Sequence, residues 1–444
     1  MANKRRVLIV VSSYRPAMLA DMQRARMLAW ELPKQGWDVE ILTPQISEVR
    51  QDVVEPHPDP FFNPETQVHE VGSVLKSLFR ALGSNSLAFR TFIPMYLRGN
   101  QLLKTGRFDL VYLSTTTFLY FALATIWRGN NQVPYVLDFH DPWVKESKLV
   151  RIQPSLKARL SDLLAQRLEG RCVLSAAGLV TVSPKYMESL ESRYMTSDKD
   201  WSRPKPSRVI PFAFLPSDFE LESSCGVEKC ADRPLIVNYV GAGGEIMARS
   251  FRWICKILRQ LCIDGDTRVT RLRIGLYGTS YGWKKGNVKV LQEVAISEGV
   301  ADLVREEPER VTYRRSLELL LQAHGALVLG VDDAGYMPSK LFSYGFSGKP
   351  IFAALHGESP AYKIMGEMTQ LGHTVSFCAA SDCPSQADFD AMRRFLTEVD
   401  QGRTFDRSEI LRKYTAEKMA LEHVELFEAC LSNHPIKQSV ATCK

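Results

Sequence analysis

Lys340 stands in the run Tyr336-Met-Pro-Ser-Lys-Leu-Phe-Ser-Tyr-Gly-Phe-Ser-Gly348, followed directly by Lys349-Pro-Ile-Phe-Ala353. Pro338 suits the first position of a helix, where a missing N–H costs nothing, and Gly348 suits its end. A cation in a helix's first turn opposes the macrodipole by roughly 0.3–1 kcal/mol unless an anion is nearby. Backbone N–H groups at this helix start, the Ser339 hydroxyl and Lys340 would together cradle a phosphate or a carboxylate. The alternative is an exposed lysine on a helix that carries no ligand.

A second candidate is the turn Gly241-Ala-Gly-Gly-Glu245, which follows the apolar run Leu235 to Val240. Gly243 and Gly244 would let the backbone approach a phosphate closely, and Arg249 could reach the same group from the next helix. Ile246 stands where a dinucleotide fingerprint needs its third glycine, which argues against a Rossmann cofactor. An ordinary tight turn is the alternative. The third cluster is Asp138-Phe-His-Asp-Pro-Trp143, at the end of an apolar run. Open α/β sheets bind ligands beyond the carboxyl ends of their strands, so His140 and Asp141 are candidates for acting on substrate. Alternatively, Asp141 caps the turn before Pro142 and His140 merely packs. Cys225-x4-Cys230 and Cys378-x4-Cys383 lack a histidine partner at familiar spacing, and adjacent loop residues such as Asp332 and Asp333 often point apart. No metal is expected.

These groups need a scaffold, and the chain supplies the same grammar twice. Arg6 to Ser12 reads as a strand; Met22, Ala25, Leu28, Ala29 and Leu32 form a helical stripe capped by Asp21; Val39 to Thr43 returns as a strand. Strands follow at Leu110 to Leu113, Pro134 to Leu137 and Gly178 to Ser183. The second half restarts with strands at Leu235 to Val240, Leu272 to Tyr277, Gly325 to Val331 and Ile351 to Leu355. A last helix runs from Thr415 to Leu431, with Ala420, Val424, Phe427 and Leu431 on one face. The β-α-β repetition predicts doubly wound parallel sheets. The expected division is residues 1–205, a linker region over 206–233, 234–414, the helix 415–431, and a tail over 432–444.

The totals agree with that division. A chain of 444 residues exceeds one typical core, and 45% apolar with 24% charged content belongs to an ordinary globular protein. Nine scattered cysteines fit a reducing cytosol, and neither a signal peptide nor a spanning segment stands out. Net charge is +6, but its distribution is uneven: between Glu70 and Asp109 there are six basic residues and no acidic one. Mixed with large apolar residues, they make residues 74–107 a candidate contact with an anionic membrane; a solvated helix pair is the alternative. No nucleic-acid motif accompanies them, so no nucleic-acid partner is expected.

Pro338-Ser339-Lys340-Leu341-Phe342-x-Tyr344 with Gly348-Lys349-Pro350-Ile351 resembles the nucleotide-side motif of glycosyltransferase family 4, and the resemblance runs over nearly the whole chain. It implies α/β architecture with two facing Rossmann-like doubly wound domains, the GT-B fold, and an interdomain cleft. By that resemblance the first domain is the acceptor side, including Arg15 and Arg24, the second binds a nucleotide-sugar, and the last helix crosses back to the first. The activity implied is retaining transfer of a sugar from a nucleotide-sugar donor to a glycan or lipid-linked acceptor in cell-surface polysaccharide assembly. The resemblance further implies no metal or redox cofactor. The cysteine usage and the basic segment together give a cytoplasmic location, peripheral on the inner face of the membrane, as the expectation. Two departures stand inside it. Gly335 and Ser343 occupy the positions of the family's two glutamates, the second of which contacts the ribose, and Leu19-Ala20-Asp21 replaces a Gly-Gly loop. A non-catalytic binding protein, or an epimerase or hydrolase of sugar nucleotides, would fit the same fold.

Overall fold

The computed structural model describes residues 4–17, 22–49, 55–56, 58–74, 86–144, 156–194, 205–220, 233–280, 288–377 and 383–433. The chain forms two compact units, Met1–Pro211 with Ala416–Lys444, and Phe212–Thr415.

The first unit is built on seven parallel strands: β1 (Arg5–Val10), β2 (Trp37–Pro44), β3 (Gln67–Val71), β4 (Leu110–Ser114), β5 (Tyr135–Phe139), β6 (Gly178–Thr181) and β7 (Ser207–Val209). Their order is β3-β2-β1-β4-β5-β6-β7, so the winding reverses between β1 and β4. The central strands are buried on both faces, as near-continuous aliphatic runs such as Val7-Leu-Ile-Val10 demand of a covered parallel sheet. The last helix, Ala416–Asn433, packs in this unit against the helix Gln23–Glu31, burying Phe427 with its ring 5.3 Å from that of Trp37. Asp21, with the rest of the Leu19-Ala20-Asp21 departure, lies outside the described residues.

Three features depart from the sequence reading. The stretch 44–66 is followed by an edge strand, β3, whose alternating Gln-Val-His-Glu-Val is too short and polar to stand out. Residues 207–209, assigned to the linker region, pair with β6 as the other edge of the sheet. The basic segment also has another use. In the helix Leu87–Leu103 and beyond, Arg90 pairs with Glu48 at 2.9 Å and Arg107 with Glu40 at 2.8 Å. Arg98 donates to His69 Nδ1 at 3.0 Å, and His69 meets Glu40 at 2.7 Å. Lys76 and Arg80 lie outside the described residues. The charge bias over 74–107 is thus used in part to neutralise carboxylates near β2 and β3, while Phe89, Ile93 and Leu97 are what that helix exposes. No described helix is long and apolar enough to cross a membrane.

The second unit has six parallel strands: β8 (Leu235–Val240), β9 (Leu272–Tyr277), β10 (Val304–Glu307), β11 (Gly325–Leu329), β12 (Ile351–Leu355) and β13 (His373–Ser376). Their order, β10-β9-β8-β11-β12-β13, reverses between β8 and β11. One apolar cluster covers one side through the helix Ala248–Ile263, and another gathers Leu341, Phe342 and Tyr344 with Tyr414, whose ring stacks on Phe342 at 3.5 Å. Pro338 does not open the helix after β11: that helix is Leu341–Phe346, with Lys340 at its N-cap. Pro338 lies in the preceding loop, buried three residues upstream. Gly348, at φ +74°, terminates the segment in a left-handed conformation that only glycine takes cheaply.

Candidate active site

In the second unit the sequence candidates converge on the end of β8, at the switch point of the sheet. The described pairing of β8 with β11 stops at Asn238, which leaves Val240 without a ladder partner on that side. Tyr344 takes the place of one: its hydroxyl accepts from the Val240 N–H at 3.0 Å and donates to the Val240 carbonyl at 2.9 Å. Lys340, one helical turn earlier, donates its ammonium to the same carbonyl. The next residue is Gly241, where an added Cβ would stand 2.8 Å from Lys340 Nζ. A side chain there would press on the flexible end of the lysine.

That ammonium is poorly matched. Burial, followed by the nearby Arg310 guanidinium, pushes Lys340 down to about 7, and no carboxylate among the described residues pairs with it. Arg310 itself donates to the Gly278 carbonyl at 3.0 Å, just past β9. Two cations and a chain turn therefore gather at strand ends, an environment that an anion would stabilise.

The other candidates in this unit are placed differently from expectation. The Gly241 and Gly243 amides bond to the Tyr277 and Thr279 carbonyls at 2.9 and 3.1 Å, so the glycine turn offers close approach more than spare donors. Gly244 adopts φ +76° to start the following turn. Arg249 meets Asp332 at 2.6 Å and lies over the Phe377 ring at 6.0 Å, so its charge is already partly compensated. Ser343 donates to the Lys340 carbonyl at 2.9 Å, a back-bond within its own helical turn. Ser339 is half-buried between Pro338 and Lys340.

In the first unit the centre is Asp138, a residue the sequence reading passed over. Strand alternation puts Asp138 and His140 on one face and turns Asp141 away, and Asp141 is exposed. Asp138 Oδ2 meets His140 Nε2 at 2.7 Å, accepts from Ser114 and Tyr112 at 2.8 Å each, and lies 3.2 Å from Arg24 Nε. Tyr112 and Ser114 are likewise two apart on β4, and Ser114 is directly across from Asp138. The pattern Tyr-x-Ser beside Asp-x-His was therefore legible as two alternating strands. Burial works to raise the Asp138 carboxyl, but Arg24 and His140 outweigh it and hold it well below the usual carboxylate range. Arg24 is itself fully buried and donates to the Ile210 carbonyl at 2.7 Å. Arg15 is elsewhere: it pairs with Asp59 at the surface.

A second set of atoms lies around the same strand ends. Ser13 Oγ, Tyr14 Oη, Asp138 Oδ1 and Ser183 Oγ follow or end β1, β5 and β6, and each is buried without a hydrogen-bond partner among the described residues. Buried polar atoms in folded proteins are nearly always paired, with protein, water or ligand.

Comparison with known proteins follows the same lines. The glycosyl transferase 4-like domain family matches residues 22–199. No curated protein matches the chain by sequence. Among solved structures, HepE of Anabaena in complex with UDP is 12% identical, covering 96% of this chain and 100% of that one, with a TM-score of 0.56. A UDP-forming α,α-trehalose-phosphate synthase from Burkholderia xenovorans is 12% identical over 96% and 99%, with a TM-score of 0.58. A variant of TarM from S. aureus, in complex with fondaparinux, α-GlcNAc-glycerol and UDP, is 8% identical over 95% and 99%, with a TM-score of 0.55. At such identities the likeness is one of fold, and it agrees with the two Rossmann-type sheets described above. The chain thus has the GT-B fold, and within it residues 22–199 match the glycosyl transferase 4-like domain family.

Proposed function

We propose that this enzyme transfers a sugar, with retention, from a nucleoside-diphosphate-sugar to a hydroxyl of a glycan or lipid-linked acceptor, in the cytoplasmic assembly of a surface polysaccharide. The observation that carries this reading is the Lys340 ammonium, held on the Val240 carbonyl beside Gly241 near Arg310, with no carboxylate among the described residues paired with Lys340. Ligands of doubly wound sheets bind at such switch points. A leaving diphosphate gains negative charge as the glycosidic bond breaks, and preorganised cations stabilise that charge without reorganisation. Lys340 and Arg310 supply them, so the reading asks for no metal. UDP in the HepE and TarM structures makes it the first nucleotide to test.

In this reading His140 acts on the sugar or the acceptor hydroxyl. Its Nε2 faces the Asp138 carboxylate at 2.7 Å, so that nitrogen carries a proton and the ring is fixed in orientation. In this reading the acceptor's hydroxyl groups would meet the polar atoms at Ser13, Tyr14 and Ser183 that have no partner among the described residues. Membrane attachment through residues 74–107 has no part in this reading: Arg90, Arg98 and Arg107 have partners inside the unit.

A panel of nucleotide-sugars screened by thermal shift, with a nucleotide-release assay on each hit, tests the proposal. Release stimulated by an acceptor, with the anomeric configuration kept in the product, is expected. Binding with no turnover under any acceptor would overturn it.

A further inference from the structure

The terminal helix places His423 in contact with the buried network of the first unit, and the proton count there is informative. His423 Nδ1 lies 2.7 Å from the Met419 carbonyl, which can only accept, so Nδ1 carries a proton. His423 Nε2 lies 2.9 Å from the Tyr112 hydroxyl. That hydroxyl also lies 2.8 Å from Asp138 Oδ2. With a neutral His423, two acceptors compete for the single proton of Tyr112. Whatever share His423 takes is withdrawn from Asp138, and Asp138 then spends more of its charge on His140.

We infer that His423 is a positioning residue, which acts through the Tyr112 hydroxyl and Asp138 to set how strongly His140 holds its proton. The inference rests on the role given to His140 under the proposed function. The charged and titratable groups facing His423 are Arg24 from the first helix, Tyr112 from β4, and Asp138 and His140 from β5; β6, which also packs on this helix, contributes none, and Lys34 of the packed turn Leu32–Gln35 is paired with Glu31. Burial, with Arg24 adding to it, pushes His423 down to about 3, which keeps it neutral and able to accept. The effect has a definite sign. Without Tyr112's hydroxyl, Asp138 loses a donor and pulls harder on His140. Without the His423 ring nitrogen, Tyr112 turns wholly to Asp138, and the pull weakens.

Histidine imidazole NMR on the full chain, with His140 assigned by His140→Gln, reads these states directly. Tyr112→Phe should raise the His140 titration midpoint by about half a pH unit or more, and His423→Phe should lower it by a similar amount. In the Tyr112→Phe background, His423→Phe should add no further shift, since the coupling runs through the hydroxyl. Shifts of the same sign, no shift, or an undiminished His423 effect without Tyr112 would each overturn the inference. The wild-type protein gives a test that needs no variant: between pH 5 and 8, His423 Nε2 should be an unprotonated acceptor, and a protonated Nε2 there sinks the idea. Turnover separates the two readings. Opposed shifts with a pH–rate profile that follows His140 support both, whereas opposed shifts with an indifferent profile leave the coupling standing and remove His140 from the reaction.

Discussion

Lys340 and Gly241 are complementary: the absent side chain of one makes room for the ammonium of the other. A Cβ on Gly241 would come within 2.8 Å of Lys340 Nζ, whose anchor is the carbonyl of the residue just before. Gly241→Ala should therefore displace the lysine's flexible end without unfolding the sheet. The expected result is UDP affinity reduced about tenfold, with uridine affinity unchanged, by calorimetry. Equal losses for both ligands would mean that the turn itself had moved.

Lys340→Ala should weaken UDP binding tenfold or more, since a charge-assisted contact contributes roughly 1.5–3 kcal/mol. The uncharged nucleoside lacks the group that Lys340 would contact. Unchanged UDP affinity in a folded variant would refute the cradle.

Binding should also depend on pH in a definite direction. Lys340 sits at about 7 in the free protein, and a bound diphosphate favours its charged form. UDP affinity should thus fall as pH rises from about 7 toward the higher value of the complex, with protons taken up on binding at pH 8. The phosphate's own ionisation near 6 is complete in that window. Calorimetry in buffers of different ionisation enthalpy counts the protons. Lys340→Ala should abolish the uptake.

Asp138 makes the first unit sensitive to acid. Its folded value is depressed, so its contribution is present above the unfolded value of about 3.9 and lost as pH falls below it. Asp138→Asn should destabilise the unit by roughly 3–5 kcal/mol at neutral pH, because the buried Arg24 loses its counter-charge. Denaturant unfolding should further show a shallower loss of stability below pH 4 in the variant than in the wild type.

Deleting the chain from Ala416 onward removes His423, Phe427 and Leu431 from the first unit. Hydrogen exchange should loosen amides within residues 1–211, most of all in the helix Gln23–Glu31 and around Trp37. Loosening confined to 212–415 would contradict the packing of that helix.

Much of the scaffold was determined by local sequence. Aliphatic or mainly apolar runs, such as Val7–Val10 and Leu235–Val240, read as buried parallel strands because covered sheets need apolar residues on both faces. The turn glycines, the motif around Lys340 and the terminal helix were readable for similar reasons. Short polar edges such as β3 and β7 were not, since they carry too little apolar pattern to separate them from loop.

The chemistry depended on tertiary structure. Period-2 alternation, carried past the end of the strand, pairs Asp138 with His140 in place of Asp141, but only the sheet register sets Ser114 opposite Asp138 and brings Arg24 to it. Lys340 finds its carbonyl 100 residues away, and Tyr112 finds His423 across 311. A side chain's partner over such separations follows from strand order and helix docking, which no local pattern encodes. That is why composition marks residues 74–107 as a basic surface, whereas folding turns Arg90 and Arg107 onto Glu48 and Glu40.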